Sequence, residues 1–272
     1  MSPESGRGVR DAGLGPLARL RAEPSRAAIL TDVDGTLAPI AARPEQAAVP
    51  RRATELLERL SKRYGLVGCV SGRRAEEARR LVGVEGIAYA GNHGLELLLP
   101  GDEGPRADPS LQGREREAAD FLSELDTPLA EIGLRLEDKG PIQALHWRGA
   151  DDEKAAEAGA HEIGAAAGRA GLELRWGRKV LELRPVGGGG KDAAVAALLA
   201  MDGVTAAVYA GDDRTDLDAF RRLRELREGG ELELAVCVGI VSDEAPPELV
   251  EEADLRVDGP AGWLALLEDL AE

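Results

Sequence analysis

Two aspartates separated by one residue follow a short apolar run near the start of the chain. Residues 29–37 read ILTDVDGTL and place Asp32 and Asp34 directly after that run. Such a run is typical of a buried strand in a parallel sheet, where Asp32 and Asp34 would lie on the same face. Close carboxylates repel each other unless a cation or a shared proton relieves the repulsion. The pair predicts a magnesium site with one nucleophilic and one proton-transferring carboxylate.

Three further polar clusters follow predicted strands or begin a predicted helix. They are Ser71 with Arg73, then Lys191, and then Asp212 with Asp213 and Asp216. Because the C-terminal ends of parallel strands lie along one edge of a sheet, we expect these clusters to meet the first aspartates there. Two carboxylate clusters and a lysine would make a site for Mg²⁺ and a phosphate group.

The elements that must position these clusters alternate between strands and helices. After the first strand, strands are predicted over 65–70, 87–90, 206–210 and 232–238, and helices over 50–64, 74–81, 192–201, 217–228 and 263–270. This alternation predicts an α/β fold with a doubly wound parallel sheet.

The pattern changes in the middle of the chain. A helix over 113–132, strands over 134–138 and 142–148, a helix over 151–170 and strands over 172–175 and 180–184 predict an α+β layout on an antiparallel sheet. We therefore expect a core domain made of 26–103 and 187–272, interrupted by an inserted α+β cap domain over 104–186. Residues 1–25 are expected to form a flexible segment, with a short helix around 14–21.

Composition limits the classes of function. The chain has 272 residues, 43% of them hydrophobic, and a formal net charge of −16 from 50 acidic and 34 basic residues. This charge argues against nucleic acid or an anionic membrane as partner, but it allows a small phosphorylated substrate. Cys69 and Cys237 lie in apolar runs and are expected to be buried thiols. No membrane span or signal peptide is recognised, so we expect a cytoplasmic protein.

The order of the four clusters resembles that of the haloacid dehalogenase superfamily, and within it the trehalose-6-phosphate phosphatase family. The resemblance rests on residues 32–40, 70–73, 91–96, 177–185 and 211–216, with 137–139 and 146–148 in the predicted cap. It covers the chain from about residue 28 to its end. It implies a Rossmann-like phosphatase core and a cap that selects the substrate.

The resemblance also implies catalytic roles. Asp32 would attack the phosphorus to form an aspartyl-phosphate, and Asp34 would protonate the leaving sugar oxygen and then activate water. Ser71 would donate a hydrogen bond to the phosphoryl group. Lys191 would neutralise the charge of that group and restrain Asp32.

The implied metal is Mg²⁺. It would be held by the Asp32 carboxylate, the Asp34 backbone carbonyl and Asp212, with Asp213 or Asp216 acting directly or through water. Substrate contacts are expected from Arg73, Asn92, His93, Glu137, Lys139, Arg148, Glu182 and Asp216.

Each cluster also has a purely structural interpretation. Ser71 could cap the helix that follows Arg73, Lys191 could be an exposed lysine at a helix start, and the Asp212 cluster could cap a helix. Polar residues of the predicted cap could simply alternate along half-exposed strands. The glycines before Lys191 resemble a nucleotide-binding loop, but Asp192 stands where that motif needs Ser or Thr.

We therefore expect a Mg²⁺-dependent phosphatase of trehalose biosynthesis that converts trehalose 6-phosphate to trehalose and phosphate. The expected partner is this small molecule, with neither nucleic acid nor membrane; a trehalose-phosphate synthase is a candidate protein partner, and we expect a monomer. One alternative is a phosphatase of the same superfamily acting on another sugar phosphate or on a glycosyl-phosphoglycerate. The other is a sugar-phosphate sensor without catalysis.

Overall fold

The computed structural model describes residues 15–272 except 42–45, 109–110, 112, 126–127, 178, 188, 201–202 and 244. The chain divides into two compact units. The core unit comprises Met1–Arg106 and Gly189–Glu272, and the inserted unit comprises Ala107–Gly188. Within the described residues, no helix combines the length and apolar character needed to cross a bilayer.

The strands and helices of the described residues are as follows. The strands are β1 Ala27–Thr31, β2 Leu66–Val70, β3 Ala88–Gly91, β4 Glu96–Leu98, β5 Arg106–Ala107, β6 Arg135–Asp138, β7 Gln143–His146, β8 Leu172–Gly177, β9 Val180–Pro185, β10 Ala206–Gly211, β11 Leu234–Val241 and β12 Leu255–Asp258. The helices are α1 Ala18–Ala22, α2 Arg51–Ser61, α3 Ala75–Val82, α4 Glu117–Ser123, α5 Glu153–Arg169, α6 Lys191–Leu199, α7 Asp216–Glu228, α8 Pro247–Glu252 and α9 Gly259–Ala271.

The sheet of the core unit follows the order β12-β11-β10-β1-β2-β3-β4, with β5 at its edge. The first six of these strands are parallel, and β4 pairs antiparallel with β3. β1 therefore lies between β10 and β2, so the segments that follow these three strands meet at one edge of the sheet. The predicted α/β fold with a mainly parallel sheet is confirmed.

Apolar side chains of β1 alternate between the two faces of this sheet. Ala27 and Ile29 join a buried cluster that includes α2 and α9, whereas Ala28 and Leu30 join a second cluster that includes α6 and α7. A strand buried on both faces reads as a continuous apolar run, as β1 does. The sheet is thus covered by helices on both sides, which is the doubly wound arrangement. Cys69 and Cys237 are buried free thiols, as predicted.

The inserted unit holds an antiparallel sheet in the order β6-β7-β9-β8. Leu145, Leu181 and Leu183 of this sheet belong to a cluster with apolar residues of α4 and α5. Residues on a strand alternate between the two faces of a sheet. Glu182 lies between Leu181 and Leu183, so it lies on the opposite face. Glu137 lies on that face too, because Ala144 of β7 pairs with both Glu137 and Glu182. The helices cover one face and charged residues occupy the other.

Several elements differ from the prediction. The helix predicted over 113–132 is shorter, because α4 ends at Ser123 and a separate 3-10 turn covers Leu129–Ile132. Pro128 is extended, with ψ 128°, and lacks the backbone N–H that a helix interior needs, which explains why one helix does not run through it. The short elements β4, β12 and α8 were not predicted. Residues 1–14 of the predicted flexible segment lie outside the described residues, and in the rest α1 buries Leu20.

Candidate active site

The backbone of Asp32 is held at the end of β1. Its N–H donates to Ala210 O of β10 at 2.8 Å. The hydroxyl of Thr31 donates to the carbonyl of Asp32 at 2.8 Å, and the indole Nε1 of the buried Trp263 donates to Thr31 Oγ1 at 3.1 Å. Gly35 then turns the chain away with a left-handed φ of 91°, which favours glycine. The position of Asp32 is therefore set by β1, β10 and α9 together.

Lys191, the first residue of α6, bridges two buried carboxylates. Its Nζ lies 2.9 Å from Asp32 Oδ1 and 2.6 Å from Asp216 Oδ1. Only 2% of the residue is exposed. Burial by itself lowers the pKa of Lys191, but Asp216 and Asp32 outweigh it and hold the pKa well above its ordinary value. Lys191 is thus a buried cation, not an exposed lysine at a helix start.

Asp216 is surrounded by hydrogen-bond donors. Lys191 and the hydroxyl of Tyr209, at 2.6 Å, donate to Oδ1, and the backbone N–H groups of Asp212 and Asp213, each at 2.9 Å, donate to Oδ2. A carboxylate has about four acceptor positions, so these donors saturate it. We predicted a substrate contact for Asp216. The structure buries Asp216 completely within this network, and the substrate contact stays a prediction.

Three carboxylates of the described residues lie close enough to hold one metal ion. Oxygens of Asp32, Asp212 and Asp216 are within 4.8 Å of one another. Because Asp216 is saturated, Asp32 and Asp212 are the carboxylates of this group with acceptor positions for a cation. Thr36 donates to Asp212 Oδ1 at 3.0 Å, and a Cβ on Gly35 would lie 2.0 Å from Asp212 Oδ2. The glycine is therefore needed for Asp212 to lie here.

The electrostatics of this group favour a cation. Burial is the largest cause that raises the pKa of Asp32, and Asp216 and Asp212 add to it. Burial also raises the pKa of Asp212 to about 7, with contributions from Asp216 and Asp213. Buried, mutually repelling carboxylates are stabilised by a divalent ion, and Mg²⁺ prefers hard oxygen ligands. The carboxylate oxygens of Asp32 and Asp212 are therefore suitable ligands for Mg²⁺.

Asp213 lies outside that group of three and caps the start of α7. Its Oδ1 accepts from the N–H of Thr215 at 2.8 Å, the hydroxyl of Thr215 at 2.6 Å and the N–H of Asp216 at 3.2 Å. Burial alone would raise the pKa of Asp213, but Lys191 and the bonds from Thr215 outweigh it and lower the pKa. The structure thus shows Asp213 as a helix cap, and its role at the metal stays a prediction.

Ser71 and Arg73 form a turn after β2 beside Asp34. The Ser71 side chain is buried, and its Oγ accepts from the Arg73 N–H at 3.1 Å. Arg73 Nε and Nη2 donate to the two carboxylate oxygens of Asp34 at 2.7 and 2.8 Å, while Nη1 donates to Glu77. The bond with Asp34 raises the pKa of Arg73. Arg73, predicted to contact substrate, here forms a two-pronged ion pair with the predicted acid and base.

The segment after β3 supports the turn of Ser71 and Arg73 through backbone hydrogen bonds. The N–H of Asn92 donates to Arg73 O at 2.7 Å, and the N–H of His93 donates to Ser71 O at 2.9 Å. Both residues adopt left-handed φ angles, 51° and 55°. Buried Glu96 accepts from the first N–H of α3 at 2.9 Å, which caps that helix. In this structure, Asn92 and His93 thus support Ser71 and Arg73 through their backbones.

Three predicted sugar-binding residues of the inserted unit, Glu137, Lys139 and Glu182, take part in two polar contacts, one of them with His146. His146 Nε2 is 2.7 Å from Glu137 Oε2, and Lys139 Nζ is 3.1 Å from Glu182 Oε1. The hydrogen bond with His146 lowers the pKa of Glu137. Arg148 lies in an exposed turn after β7. Glu137 and Glu182 therefore lie on one sheet, Lys139 directly follows β6 and reaches Glu182, and Arg148 lies after β7.

Comparison with known proteins identifies the family. The family model described as trehalose-phosphatase matches residues 30–248, which is most of the chain. The chain belongs to the trehalose-phosphatase family. A relative from Oryza sativa subsp. japonica, "Probable trehalose-phosphate phosphatase 3", is 29% identical over 247 residues, covering 84% of this chain and 65% of the relative. The chain thus spans about two thirds of that relative's length.

Solved structures confirm the haloacid dehalogenase fold for this trehalose-phosphatase family member. The structure of the C-terminal domain of a trehalose-6-phosphate phosphatase from C. albicans superimposes with a TM-score of 0.71 at 22% identity, covering 94% of this chain and 96% of the other. A haloacid dehalogenase-like hydrolase from Bacteroides thetaiotaomicron gives a TM-score of 0.58 at 16% identity, covering 90% and 99%.

Sequence reasoning on this trehalose-phosphatase family member missed four residues that support the site. Thr36, Glu77, Glu96 and Tyr209 each bond a predicted site residue or the helix beside it. Thr36 lies within the first motif and could have been noticed there. Glu96 lies within the 91–96 stretch that carries the family resemblance and could also have been noticed. Glu77 and Tyr209 lie on a predicted helix and a predicted strand, where their spacing gives no signal of function. Their partners become visible only when the chain is folded.

Proposed function

We propose that this chain is a Mg²⁺-dependent phosphatase that hydrolyses trehalose 6-phosphate to trehalose and inorganic phosphate. The observation that carries the proposal is the buried group in which Lys191 bridges Asp32 and Asp216 beside Asp212. A carboxylate held next to a fixed cation and a metal site is suited to attack an anionic phosphorus centre. Membership of the trehalose-phosphatase family supports the choice of reaction and substrate.

The proposed reaction has two steps. An oxygen of Asp32 bonds to phosphorus while the bond from phosphorus to the sugar oxygen breaks, and Asp34 gives that oxygen a proton. Asp34 then takes a proton from water as the water oxygen attacks the aspartyl-phosphate, which releases phosphate and restores Asp32. Lys191 offsets the charge of the phosphoryl group, and Ser71 donates a hydrogen bond to it. Mg²⁺ at Asp32, Asp212 and the Asp34 carbonyl would offset the charge that develops on the phosphoryl oxygens.

We assign the choice of sugar to the charged face of the inserted unit. Glu137, Lys139 and Glu182 are partly or largely buried and offer charged partners to hydroxyl groups. A sugar that left one of these buried groups unpaired would lose about 1–3 kcal/mol of binding free energy. Arg148, Asn92 and His93 remain candidate contacts on the family resemblance. Another sugar phosphate or a glycosyl-phosphoglycerate is the alternative substrate.

The test is phosphate release from a panel of sugar phosphates, with Mg²⁺ and with a chelator. We expect Mg²⁺-dependent turnover confined to trehalose 6-phosphate, and Asp32→Asn should lower it on the order of 10³-fold or more. Asp151→Asn, in an exposed turn, is the control for loss of one carboxylate. Equal rates across the panel would contradict the assigned substrate. Unchanged turnover in Asp32→Asn would contradict the nucleophile, and no turnover would favour a sensor.

A further inference from the structure

Glu77 lies beside the site, and neither the motifs nor the proposed mechanism gives it a role. It is the third residue of α3, and its Oε1 accepts from Nη1 of Arg73. The other edge of the same guanidinium, formed by Nε and Nη2, donates to both oxygens of Asp34 at 2.7 and 2.8 Å. The Arg73 side chain is 12% exposed and the Glu77 side chain is 40% exposed. Arg73 therefore lies between two carboxylates, of which one is the proposed acid.

The two carboxylates constrain Arg73 in different ways. A guanidinium is planar, so a two-pronged bond to Asp34 fixes the two planes relative to each other. It does not fix where the pair lies, because the arginine side chain has many rotamers. Glu77 supplies a second anchor on the opposite nitrogen, and it belongs to the rigid first turn of α3. With Glu77 in place, the position of the guanidinium is set by the helix.

The backbone of Arg73 is fixed as well. Its N–H donates to Ser71 Oγ and its carbonyl accepts from the N–H of Asn92. Both the backbone and the guanidinium of Arg73 are therefore held by elements of the core unit, and the proposed acid Asp34 is a carboxylate that this guanidinium orients. A misplacement of a reacting group by about 1 Å can cost on the order of 10²-fold in rate. The anchor on Arg73 thus bears on catalysis and not only on stability.

We propose that Glu77 is a positioning residue for the reaction. It holds Arg73, and Arg73 holds the carboxyl group of Asp34 where this group can protonate the leaving sugar oxygen. The inference rests on the proposed function, because it requires Asp34 to be the acid of the first step. It adds Glu77 as a residue that acts through Arg73 and touches neither substrate nor metal.

The dependence on the leaving group separates this role from a merely structural one. A sugar oxygen leaves poorly and needs a proton, whereas p-nitrophenolate leaves without one. The ratio kcat/KM reports the steps up to phosphoryl transfer to Asp32, so a slow second step does not mask the effect. A variant that misplaces the acid should therefore lose kcat/KM on trehalose 6-phosphate and keep it on p-nitrophenyl phosphate.

The experiment compares Glu77→Gln with a matched control, Glu55→Gln. Glu55 pairs with Arg51 at the same spacing of four residues, with Nε 2.7 Å from Oε1, on the exposed helix α2. We expect Glu77→Gln to lower kcat/KM on trehalose 6-phosphate on the order of tenfold and to leave p-nitrophenyl phosphate within about twofold. Glu55→Gln should change neither substrate.

Three results would overturn the inference. Equal losses on both substrates would make Glu77 a structural residue of the site. No loss on either substrate would show that Arg73 and Asp34 are positioned without it. Both outcomes leave the proposed function standing, because the wild-type protein still hydrolyses trehalose 6-phosphate. A wild-type protein that acts on p-nitrophenyl phosphate but not on trehalose 6-phosphate would overturn the proposed function and this inference together.

Discussion

The carboxylates of the site are alike in chemistry and differ in what surrounds them. Within the described part of the chain, the side chain of Asp216 accepts four hydrogen bonds, that of Asp32 accepts one from Lys191, and that of Asp212 accepts one from Thr36. A saturated carboxylate can position its neighbours, whereas one with vacant acceptor positions can bind a metal or attack phosphorus. The surroundings therefore suggest separate tasks for side chains of one type.

The residue that most directly reports on the metal is Asp212. Its pKa is raised to about 7 from 3.8 by burial and by Asp216 and Asp213. The folded protein therefore binds a proton at Asp212 more tightly than the unfolded chain does. This proton binding stabilises the folded state fully below pH 3.8, and the stabilisation is lost as the pH rises through about 7. Asp212→Asn should stabilise the metal-free protein above about pH 7, by a few kcal/mol at most.

Thermal denaturation with and without Mg²⁺ is the measurement for this prediction. Mg²⁺ bound to the native state should raise the Tm of the wild-type protein near neutral pH, and it should not raise that of Asp212→Asn. Asp151→Asn, which removes an exposed carboxylate, should respond as the wild type does. If Mg²⁺ stabilised Asp212→Asn as much as wild type, Asp212 would not be a ligand.

The residues of the proposed catalytic centre could be predicted because their positions follow from topology. Asp32, Ser71 and Asp212 each directly follow a strand, and the ends of parallel strands meet at one edge of the sheet whatever their distance in sequence. Tyr209 and Glu77 could not be found in this way. Tyr209 lies inside a strand and Glu77 inside a helix, and their types and spacing are ordinary there. Only side-chain geometry connects them to Asp216 and Arg73.

At the scale of elements, the junction between β10 and α7 organises the site. Asp216 begins α7, and its carboxylate accepts from the N–H groups of the two residues that follow β10, from Tyr209 within β10 and from Lys191 at the start of α6. The first residues of α6 and α7 are thus linked by hydrogen bonds to each other and to β10. Lys191 reaches Asp32 from this fixed position.

Removing the hydroxyl of Tyr209 should loosen that junction. Tyr209→Phe leaves the buried ring in place and takes one of four donors from Asp216. We expect kcat on trehalose 6-phosphate to fall on the order of tenfold, with KM nearly unchanged, because Lys191 and Asp32 are less well placed. Steady-state kinetics and thermal denaturation together are the measurement.

Tyr89→Phe is the matched control for that variant. Tyr89 is a buried strand tyrosine whose hydroxyl donates to Val84 O at 2.6 Å. Its loss should cost about 1 kcal/mol of stability and leave kcat unchanged. If the two variants lost activity in proportion to stability, or if Tyr209→Phe kept its full kcat, the junction would have no part in placing Lys191.

Elements with a recognisable apolar pattern could be predicted. The apolar runs of β1 and β2 and the helical spacing of α7 identify these elements. β4 and β12, with sequences ELL and LRVD, carry no such run and were not predicted. The helix predicted over 113–132 ran through Pro128 because its apolar spacing persists. In the structure Pro128 is extended, with ψ 128°, and a proline lacks the N–H that a helix interior needs.

At the scale of the whole molecule, the charge of the chain and that of its proposed substrate have the same sign. The formal net charge is −16, yet the site holds two cations, the buried Lys191 and the partly exposed Arg73, beside the carboxylates that fit Mg²⁺. Local charge decides binding at short range, while the net charge acts through a screened field. An acidic protein can therefore bind a phosphate ester when its cations are buried at the site.

The central claim is that this chain hydrolyses trehalose 6-phosphate through Asp32. The most direct measurement is to quench turnover with acid, digest the protein at low pH and locate any phosphoryl group by mass spectrometry. We expect phosphate on the peptide that contains Asp32, released by hydroxylamine as an acyl phosphate should be, and absent in Asp32→Asn. Turnover of trehalose 6-phosphate with no phosphoryl group on Asp32, or with one on another residue, would contradict the account.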